Sequence, residues 1–331
     1  MPAGQLWSTS SIGGYLDAKN LSKELRMGVK ATSKFRQFSD VKDAFGKVTK
    51  TGDVFHWDTM PMLTRANRVL TETNTIPQGQ ATVLQGTLTM SERGFSVPYT
   101  EKLESLAQLS VRAPLMKVLK YDASVDIDCV VHAEFNKTPL RVVSSNSADT
   151  AFTLTTNSVA TATNTTPISK INVRAIVDGM KGRNIPYFTE SDYMAIARPG
   201  GYRILKNDME GIHQYTESGL DMIMNGEIGK YENTRFVEQT TIPAGGAADS
   251  TTFDPFTDTS DAWNTAGSGD WVFLFGADTV CEAVHTPEEI RAKIPDDYGR
   301  SKGIAWYALL GYGITHTNVA QSRIVKFDSA V

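Results

Sequence analysis

A threonine-rich stretch with strand periodicity and little apolar surface constrains this chain more than any other feature. Ile76-Pro77-Gln78-Gly79 is a turn signal. After it, Leu84, Leu88 and Met90 alternate with threonine and serine, and residues 64–71 can form the opposing strand. This pattern predicts a long polar ribbon, and a two-stranded ribbon is marginally stable on its own. It therefore needs a surface outside itself to lie on.

The composition excludes several classes of protein. Only two of the 331 residues are cysteine, too few for a disulfide framework or a four-cysteine zinc site. No apolar run approaches the roughly 18–20 residues of a membrane-spanning helix, and the N-terminus lacks signal-peptide character. Because 40% of the residues are hydrophobic, the chain can bury a real core. We expect a soluble protein of one large or two ordinary domains that makes no membrane contact.

Charge is distributed unevenly along the chain. The first fifty residues hold nine basic and four acidic residues, a net charge of +5, whereas the whole chain carries −4. A basic segment on an acidic body can face nucleic acid. From composition alone, a solvated helix or an arm that pairs with a neighbouring acidic surface is the better interpretation. The candidate residues for either contact are Lys19, Lys23, Arg26, Lys30, Lys34 and Arg36.

A long helix is predicted after the ribbon. Pro114 suits the first turn of a helix, so the helix begins near Ala113, continues through Val131 and ends near Pro139. About 23 residues would span roughly 35 Å. This length is unusual for a compact domain and indicates a structural spine.

The remaining chain has the pattern of a mixed α/β unit. A helix is expected from Ser169, as N-cap, to Gly182, as C-cap, and another over 202–224. A strand should run from Tyr193 to Arg198, and two more should flank a short turn within 226–238. Further strands are predicted at 271–275, 304–310 and 323–327, and residues 241–270 have the composition of a polar flap.

Familiar catalytic and cofactor signatures are absent from the sequence. It has no glycine-rich phosphate loop after a strand, no HExxH, no CxxC and no GxSxG. Asp126-Ile-Asp128 resembles a metal-binding pair, but residues two apart on a helix point to different faces, so both are expected to be solvated. Cys129 is expected to be a small buried hydrophobe. We therefore expect no catalytic, cofactor-binding or metal-binding residues and no enzyme activity.

Several segments together resemble one protein family. Gly226-Glu-Ile-Gly-Lys-Tyr-Glu-Asn-Thr-Arg-Phe-Val-Glu238 resembles the GEIG-x-x-x-x-x-RFVE segment of the major capsid proteins of schitovirus-type, short-tailed phages. Pro186-Tyr-Phe and the run Tyr193–Gly201 are similar to a second segment of that family. Gly52-Asp53-Val-Phe and Leu70-Thr71-Glu72 look like its ribbon entry and outer end, although Thr73 stands where that family has glycine.

The resemblance implies an α+β, Hong Kong 97-like phage capsid fold. It implies a structural coat protein that assembles through pentamers and hexamers into an icosahedral head around double-stranded DNA, made in the bacterial cytoplasm and located in the virion. Portal, scaffolding and decoration proteins would be further partners. The alternative is a β-rich phage tail or surface-binding protein. The implied segments are an N-terminal arm (1–50), an extended β-hairpin loop (51–100), a peripheral domain with the spine helix (101–185), an axial α/β domain (186–285) and C-terminal strands returning to the peripheral domain (286–331).

Charged residues are the candidates for contacts between subunits under this interpretation. Arg65, Arg68 and Arg93 are predicted to form salt bridges between subunits, although an exposed charge is the better interpretation of any single one. An arm that does not face DNA would bind the acidic side of a neighbouring spine helix. That side consists of Asp122, Asp126 and Asp128.

Overall fold

The computed structural model describes most of the chain and defines its elements. The described residues are 34–43, 54–63, 70, 72–73, 75–76, 78–107, 110–144, 152–155, 167–213, 229–241 and 270–329. In chain order the strands are β1 (Ser39–Asp43), β2 (Val54–Thr59), β3 (Leu84–Thr89), β4 (Ser91–Thr100), β5 (Leu140–Ser144), β6 (Phe152–Thr155), β7 (Tyr193–Ala197), β8 (Lys230–Tyr231), β9 (Thr234–Glu238), β10 (Asp270–Phe275), β11 (Val280–Ala292), β12 (Ser301–Ile314) and β13 (Ile324–Ser329). The α-helices are α1 (Glu101–Leu106), α2 (Arg112–Asn136), α3 (Lys170–Gly182) and α4 (Arg203–His213).

The strands of the described residues form two large sheets and one ribbon. The four-stranded sheet has the order β1-β11-β12-β4, and the seven-stranded sheet has the order β6-β5-β13-β10-β7-β9-β8. The ribbon consists of β2 and β3. In the four-stranded sheet β11 and β12 form a long antiparallel hairpin, whereas β1 joins β11 in parallel.

Helix α2 is the predicted spine helix, and it packs on the four-stranded sheet. Its 25 residues span about 37 Å. Pro114 lies in the first turn, where a missing N–H costs no hydrogen bond. Leu119, Ile127 and Phe135 are buried in the main core together with residues of β10 and β12. The prediction of one long helix from about Ala113 is therefore confirmed.

Helices α3 and α4 cover one face of the seven-stranded sheet, where a second core is buried. The predicted N-cap is confirmed, since the backbone N–H of Ser169 donates to Oδ1 of Asn172 at 2.7 Å in a capping box. Gly182 is the last helical residue, and the left-handed residue after the helix is Asn184, with φ +57°. Of the helix predicted over 202–224, the part from Arg203 to His213 is confirmed and 214–224 lie outside the described residues.

The strands predicted in the mixed α/β part are confirmed. The predicted strand from Tyr193 is β7, the pair around a turn is β8 and β9, and the apolar strand 271–275 lies within β10. The two C-terminal strands are β12 and β13. Residues 242–269, most of the predicted flap, lie outside the described residues.

Strand β3 has a different partner from the predicted one. Residues 84–89 pair with 54–59, in a register that sets Val54 opposite Thr89 and Thr59 opposite Leu84. Residues 64–69, most of the predicted opposing strand, lie outside the described residues. The apolar alternation identified the strand, but it carried no information about which distant segment would complete the pair.

Each large sheet combines strands from several of the predicted segments, whose boundaries remain predictions. The seven-stranded sheet takes β5 and β6 from 101–185, β7 to β10 from 186–285 and β13 from 286–331. Strand β11 crosses the predicted boundary at 285 and belongs to the four-stranded sheet. Sheet membership thus depends on pairing between strands that lie far apart in the sequence.

Candidate functional site

The arm binds to the spine helix through a buried carboxylate. Asp128 is 1% exposed, and its two oxygens accept the backbone N–H groups of Lys34 (3.2 Å) and Arg36 (3.1 Å). The expectation that Asp126 and Asp128 are both solvated is therefore wrong for Asp128. A carboxylate that accepts hydrogen bonds from two backbone amides holds that part of the backbone in one position, and the two bonds also stabilise the negative charge.

Aromatic packing fixes the same part of the arm. The Phe35 ring is 1% exposed and makes edge contacts with the rings of His132, Phe135 and Phe273 at centroid distances of 5.1, 5.6 and 6.1 Å. Phe38 makes similar contacts with Phe275. Edge-to-face pairs at these distances stabilise beyond the area they bury. The arm therefore contributes to the core that the spine helix shares with the seven-stranded sheet.

A buried glutamate forms the third attachment of the arm. Glu282 on β11 has a fully buried side chain, and it accepts hydrogen bonds from Arg36 Nη2 at 2.9 Å and Ser39 Oγ at 3.0 Å. Arg36 Nη1 also pairs with Glu288 at 2.5 Å. Beyond these contacts β1 adds to the sheet, with Ser39 opposite Val280. Arg36, predicted to face DNA or a neighbour, thus binds two carboxylates of its own chain.

Asp128→Asn should weaken the attachment of the arm to the spine helix. The carboxamide keeps the volume, but its NH₂ group faces one backbone N–H, so one charge-assisted hydrogen bond is lost. We expect a loss of about 1.5–3 kcal/mol in the free energy of unfolding and faster hydrogen exchange at the amides of Lys34 and Arg36. Asp178→Asn, at an exposed position of α3, is the matched control. Unchanged exchange at both amides in Asp128→Asn would contradict this role.

His132 has an environment that excludes its charged form. Its ring is 2% exposed, and Nδ1 has no hydrogen-bond partner among the described residues. Burial, reinforced by the positive charge of Lys326, lowers the pKa of His132 to about 3. Burial has the opposite effect on the pKa of the nearby Asp128 carboxyl group, which it raises to about 6. The hydrogen bonds from the backbone amides of the arm favour the carboxylate and partly offset this rise.

The buried imidazole should make the fold sensitive to acid. The unfolded chain binds a proton at His132 below pH about 6.5, but the folded chain binds it only near pH 3, so stability is lost as the pH falls through this interval. Relative to His132→Leu, the wild type should lose about 2 kcal/mol between pH 7 and pH 5. Urea unfolding of both proteins across this range measures the difference, in which the contribution of Asp128 cancels. Parallel stability curves would contradict the prediction.

The other predicted acidic residues of the spine helix also have partners in the same chain. Asp126 binds Arg93 of β4 through two hydrogen bonds of 2.6 and 2.8 Å, and Asp122 accepts the indole N–H of Trp306 at 2.7 Å. These contacts join the helix to both β4 and β12. Salt bridges from Arg93 to another subunit, and contacts of these aspartates with another subunit's arm, remain predictions.

The base of the ribbon is seated on the four-stranded sheet. Leu88 and Met90 are 4% and 6% exposed and pack with Cys281 and Ala283. Leu88 can pack this closely because β12 has a glycine at the contact. A Cβ on Gly311 would lie 2.7 Å from Leu88 Cδ1. The expectation that the ribbon needs a surface outside itself is thus confirmed at its base, where the four-stranded sheet of the same chain supplies that surface.

The far end of the ribbon remains uncovered by the described residues. The exposed fractions there are 68% for Met60, 96% for Met62, 73% for Ile76 and 55% for Val83. Exposed apolar side chains concentrated in one segment of the chain indicate a contact surface.

The remaining predicted residues have no described surroundings, and sequence reasoning missed others. Lys19, Lys23, Arg26, Lys30, Arg65 and Arg68 lie outside the described residues. Phe35 and Glu282 were not singled out, although an aromatic pair at Phe35 and Phe38 within a basic segment was a usable signal. Within the described ranges no group of three or more His, Cys, Asp or Glu residues could hold a metal ion, and no helix is long and apolar enough to cross a membrane.

The chain shares its fold with chains of solved phage capsids. A chain from the capsid of Helicobacter pylori bacteriophage KHP30 aligns with a TM-score of 0.67 at 12% identity, over 95% of both chains. For the cyanophage P-SCSP1u capsid the TM-score is 0.65 at 13% identity, covering 95% of this chain and 93% of the other. For the cyanophage Pam1 capsid it is 0.64 at 14% identity, over 100% of both.

This likeness establishes the fold. No protein-family model matches the sequence, and no curated protein matches it. The chain has the phage capsid fold over nearly its whole length, so the predicted α+β, Hong Kong 97-like architecture is confirmed. The narrower resemblance to the schitovirus-type family remains a prediction.

Proposed function

We propose that this chain is a major capsid protein whose copies assemble through pentamers and hexamers into the icosahedral head of a DNA phage. The observation that carries the proposal is the fold shared with capsid chains over 93–100% of each chain in the three comparisons described above. Its place would be the virion, after synthesis in the host cytoplasm. Its role is structural, without enzyme activity.

The uncovered ribbon supports assembly as the function. A strand pair with an anchored base and an exposed apolar end is suited to lie across another copy, which would bury the end. Closed shells can be built from such contacts because each modest interface is repeated many times. On this proposal Arg65 and Arg68, which the sequence places near that end, would contribute salt bridges to the neighbouring copy.

The arm limits how packaged DNA can be contacted. Because Arg36 already pairs with Glu282 and Glu288, DNA contact would rely on Lys19, Lys23, Arg26, Lys30 and Lys34. Such contacts would be non-specific and would weaken steeply with salt. Portal, scaffolding and decoration proteins are further partners within the proposal.

A β-rich tail or surface-binding protein is the less supported alternative. Such a protein would not require the 25-residue spine helix or the arm attached to it. Negative-stain electron microscopy of the purified protein separates the two functions. Pentamers, hexamers or closed shells are expected, and a protein that stays monomeric at high concentration under all assembly conditions would overturn the proposal.

A further inference from the structure

A cleft of about 690 Å³ lies between the arm, the spine helix and the β11–β12 hairpin. This volume is within the range of about 300–1,000 Å³ that is typical of sites enclosing a bound group. Ile290 and Trp306 line the cleft on the hairpin side. On the spine helix the lining residues form one stripe, with the spacing of a single helical face. They are Met116, Lys120, Ala123, Ser124, Ile127 and Asp128.

The charges around the cleft balance, so charge alone does not select an occupant. The charged side chains of the lining are the basic Lys34, Arg36 and Lys120 and the acidic Asp128, Glu288 and Glu289. Arg36 pairs with Glu288, and Glu289 pairs with Arg291 at 2.6 Å. Asp128 accepts the backbone amides of the arm. The fitting occupant therefore brings apolar side chains and little net charge.

The arm of the same subunit begins its described path at one end of this cleft. The backbone N–H of Lys34 donates to Asp128 at 3.2 Å, so the peptide bond from Ser33 lies beside the last helix residue of the lining. The lining extends from there back to Met116, which is about 18 Å along the helix. Six extended residues span up to about 20 Å. Residues 28–33 are therefore long enough to follow the cleft along its whole length.

The sequence before Lys34 has the pattern of an extended segment with one buried side. In the run 27–33 the apolar Met27, Val29 and Ala31 alternate with Gly28, Lys30 and Thr32. Successive side chains of an extended chain point to opposite sides, so the three apolar side chains would share one side. Such a segment needs an apolar surface to cover that side, and the cleft offers one within its reach.

We propose that residues 27–33 lie extended in the cleft of their own subunit. Met27, Val29 and Ala31 pack against the spine helix and the hairpin, while Lys30 and Thr32 face solvent. The competing occupant is the same segment of a second copy. Chain continuity favours the subunit's own segment, because a short tether holds it at a high effective concentration. This inference concerns the single subunit and goes beyond the proposed capsid function, so a failure of either leaves the other standing.

A disulfide between the segment and the cleft tests this placement. Lys120 lines the cleft about 12 Å along the helix from Asp128, and an extended chain places Val29 up to about 17 Å from Lys34. Mild oxidation of the Val29→Cys, Lys120→Cys double variant should therefore link the two positions within one chain. A non-reducing gel and peptide mass mapping of the monomer identify the link. The native thiols of Cys129 and Cys281 are buried and should not interfere.

The matched control moves the second cysteine to another side of the spine helix. Val118 is 46% exposed and lies about 15 Å along the helix from Asp128, so it is also within reach of the segment, but it stands outside the stripe that lines the cleft. Val29→Cys with Val118→Cys should link about tenfold more slowly or less readily still. Equal rates in the two double variants would overturn the proposal. Links found only between two chains would also overturn it, because they would assign the cleft to the segment of a second copy.

Thiol protection gives a second measurement that needs no crosslink. Ser124 is exposed and lines the cleft, so the docked segment should slow the alkylation of Ser124→Cys by iodoacetamide. Adding Val29→Ser should raise the alkylation rate by about tenfold or more, because docking then buries no valine side chain. Adding Lys30→Ser, the matched control on the solvent-facing side, should leave the rate unchanged. An alkylation rate that Val29→Ser does not alter would contradict the proposal.

Discussion

Replacing residues 60–83 with an Asn-Gly turn should give a folded subunit that no longer closes shells. Thr59 and Leu84 are directly paired, so a two-residue loop can join β2 to β3 in the existing register. The seat of Leu88 and Met90 on the sheet is retained, as is the hydrogen bond of 3.0 Å from the Trp57 indole N–H to the carbonyl of Thr315. The variant loses the exposed apolar side chains of Met60, Met62, Ile76 and Val83 together with the proposed contact residues Arg65 and Arg68.

Two measurements separate loss of assembly from loss of folding. Thermal unfolding of the variant subunit should remain cooperative and close to that of the wild type, while electron microscopy should show no closed particles. A larger deletion of 66–90 would be a poor test, because it removes β3 and the buried Leu88. A graded control is Met62→Ser, which should weaken assembly without abolishing it. Normal shells from the Asn-Gly variant would show that the ribbon does not carry the contact between subunits.

Phe35→Ala should destabilise the subunit by about 3–5 kcal/mol, the usual cost of truncating a buried aromatic residue. The Phe35 ring packs against both the spine helix and the seven-stranded sheet, so the cavity would open at the junction of arm, helix and sheet.

The arm provides its own control. Gln37 is exposed and lies two residues from Phe35, so Gln37→Ala should change the free energy of unfolding by less than about 0.5 kcal/mol. Urea unfolding of both variants measures the comparison. If Phe35→Ala lowered the free energy of unfolding by less than about 1 kcal/mol, Phe35 would not be an integral part of the core.

Local sequence patterns predicted the helices and strands of this fold well, but they could not predict the contacts between segments that are distant in sequence. Pro114 and the helical spacing after it located the spine helix, and period-two alternation located β3. The partner of β3 could not be predicted, because a turn signal at 76–79 indicates a reversal without saying where the returning strand begins. Helical spacing could not show that Asp128 is buried, since the amides that compensate its burial lie more than ninety residues earlier in the chain.

The parallel pairing of β1 with β11 has a consequence for synthesis. Residues 39–43 find their partners at 280–284, so about 240 residues must leave the ribosome before the first strand can enter its sheet. Contacts this distant in sequence form late and slowly. A nascent or truncated chain lacking β11 would leave β1 without its partner strand and Arg36 without its glutamates. Complete attachment of the arm therefore requires that β11 has been made, and an assembly contact that includes β1 would select chains translated through the β11–β12 hairpin.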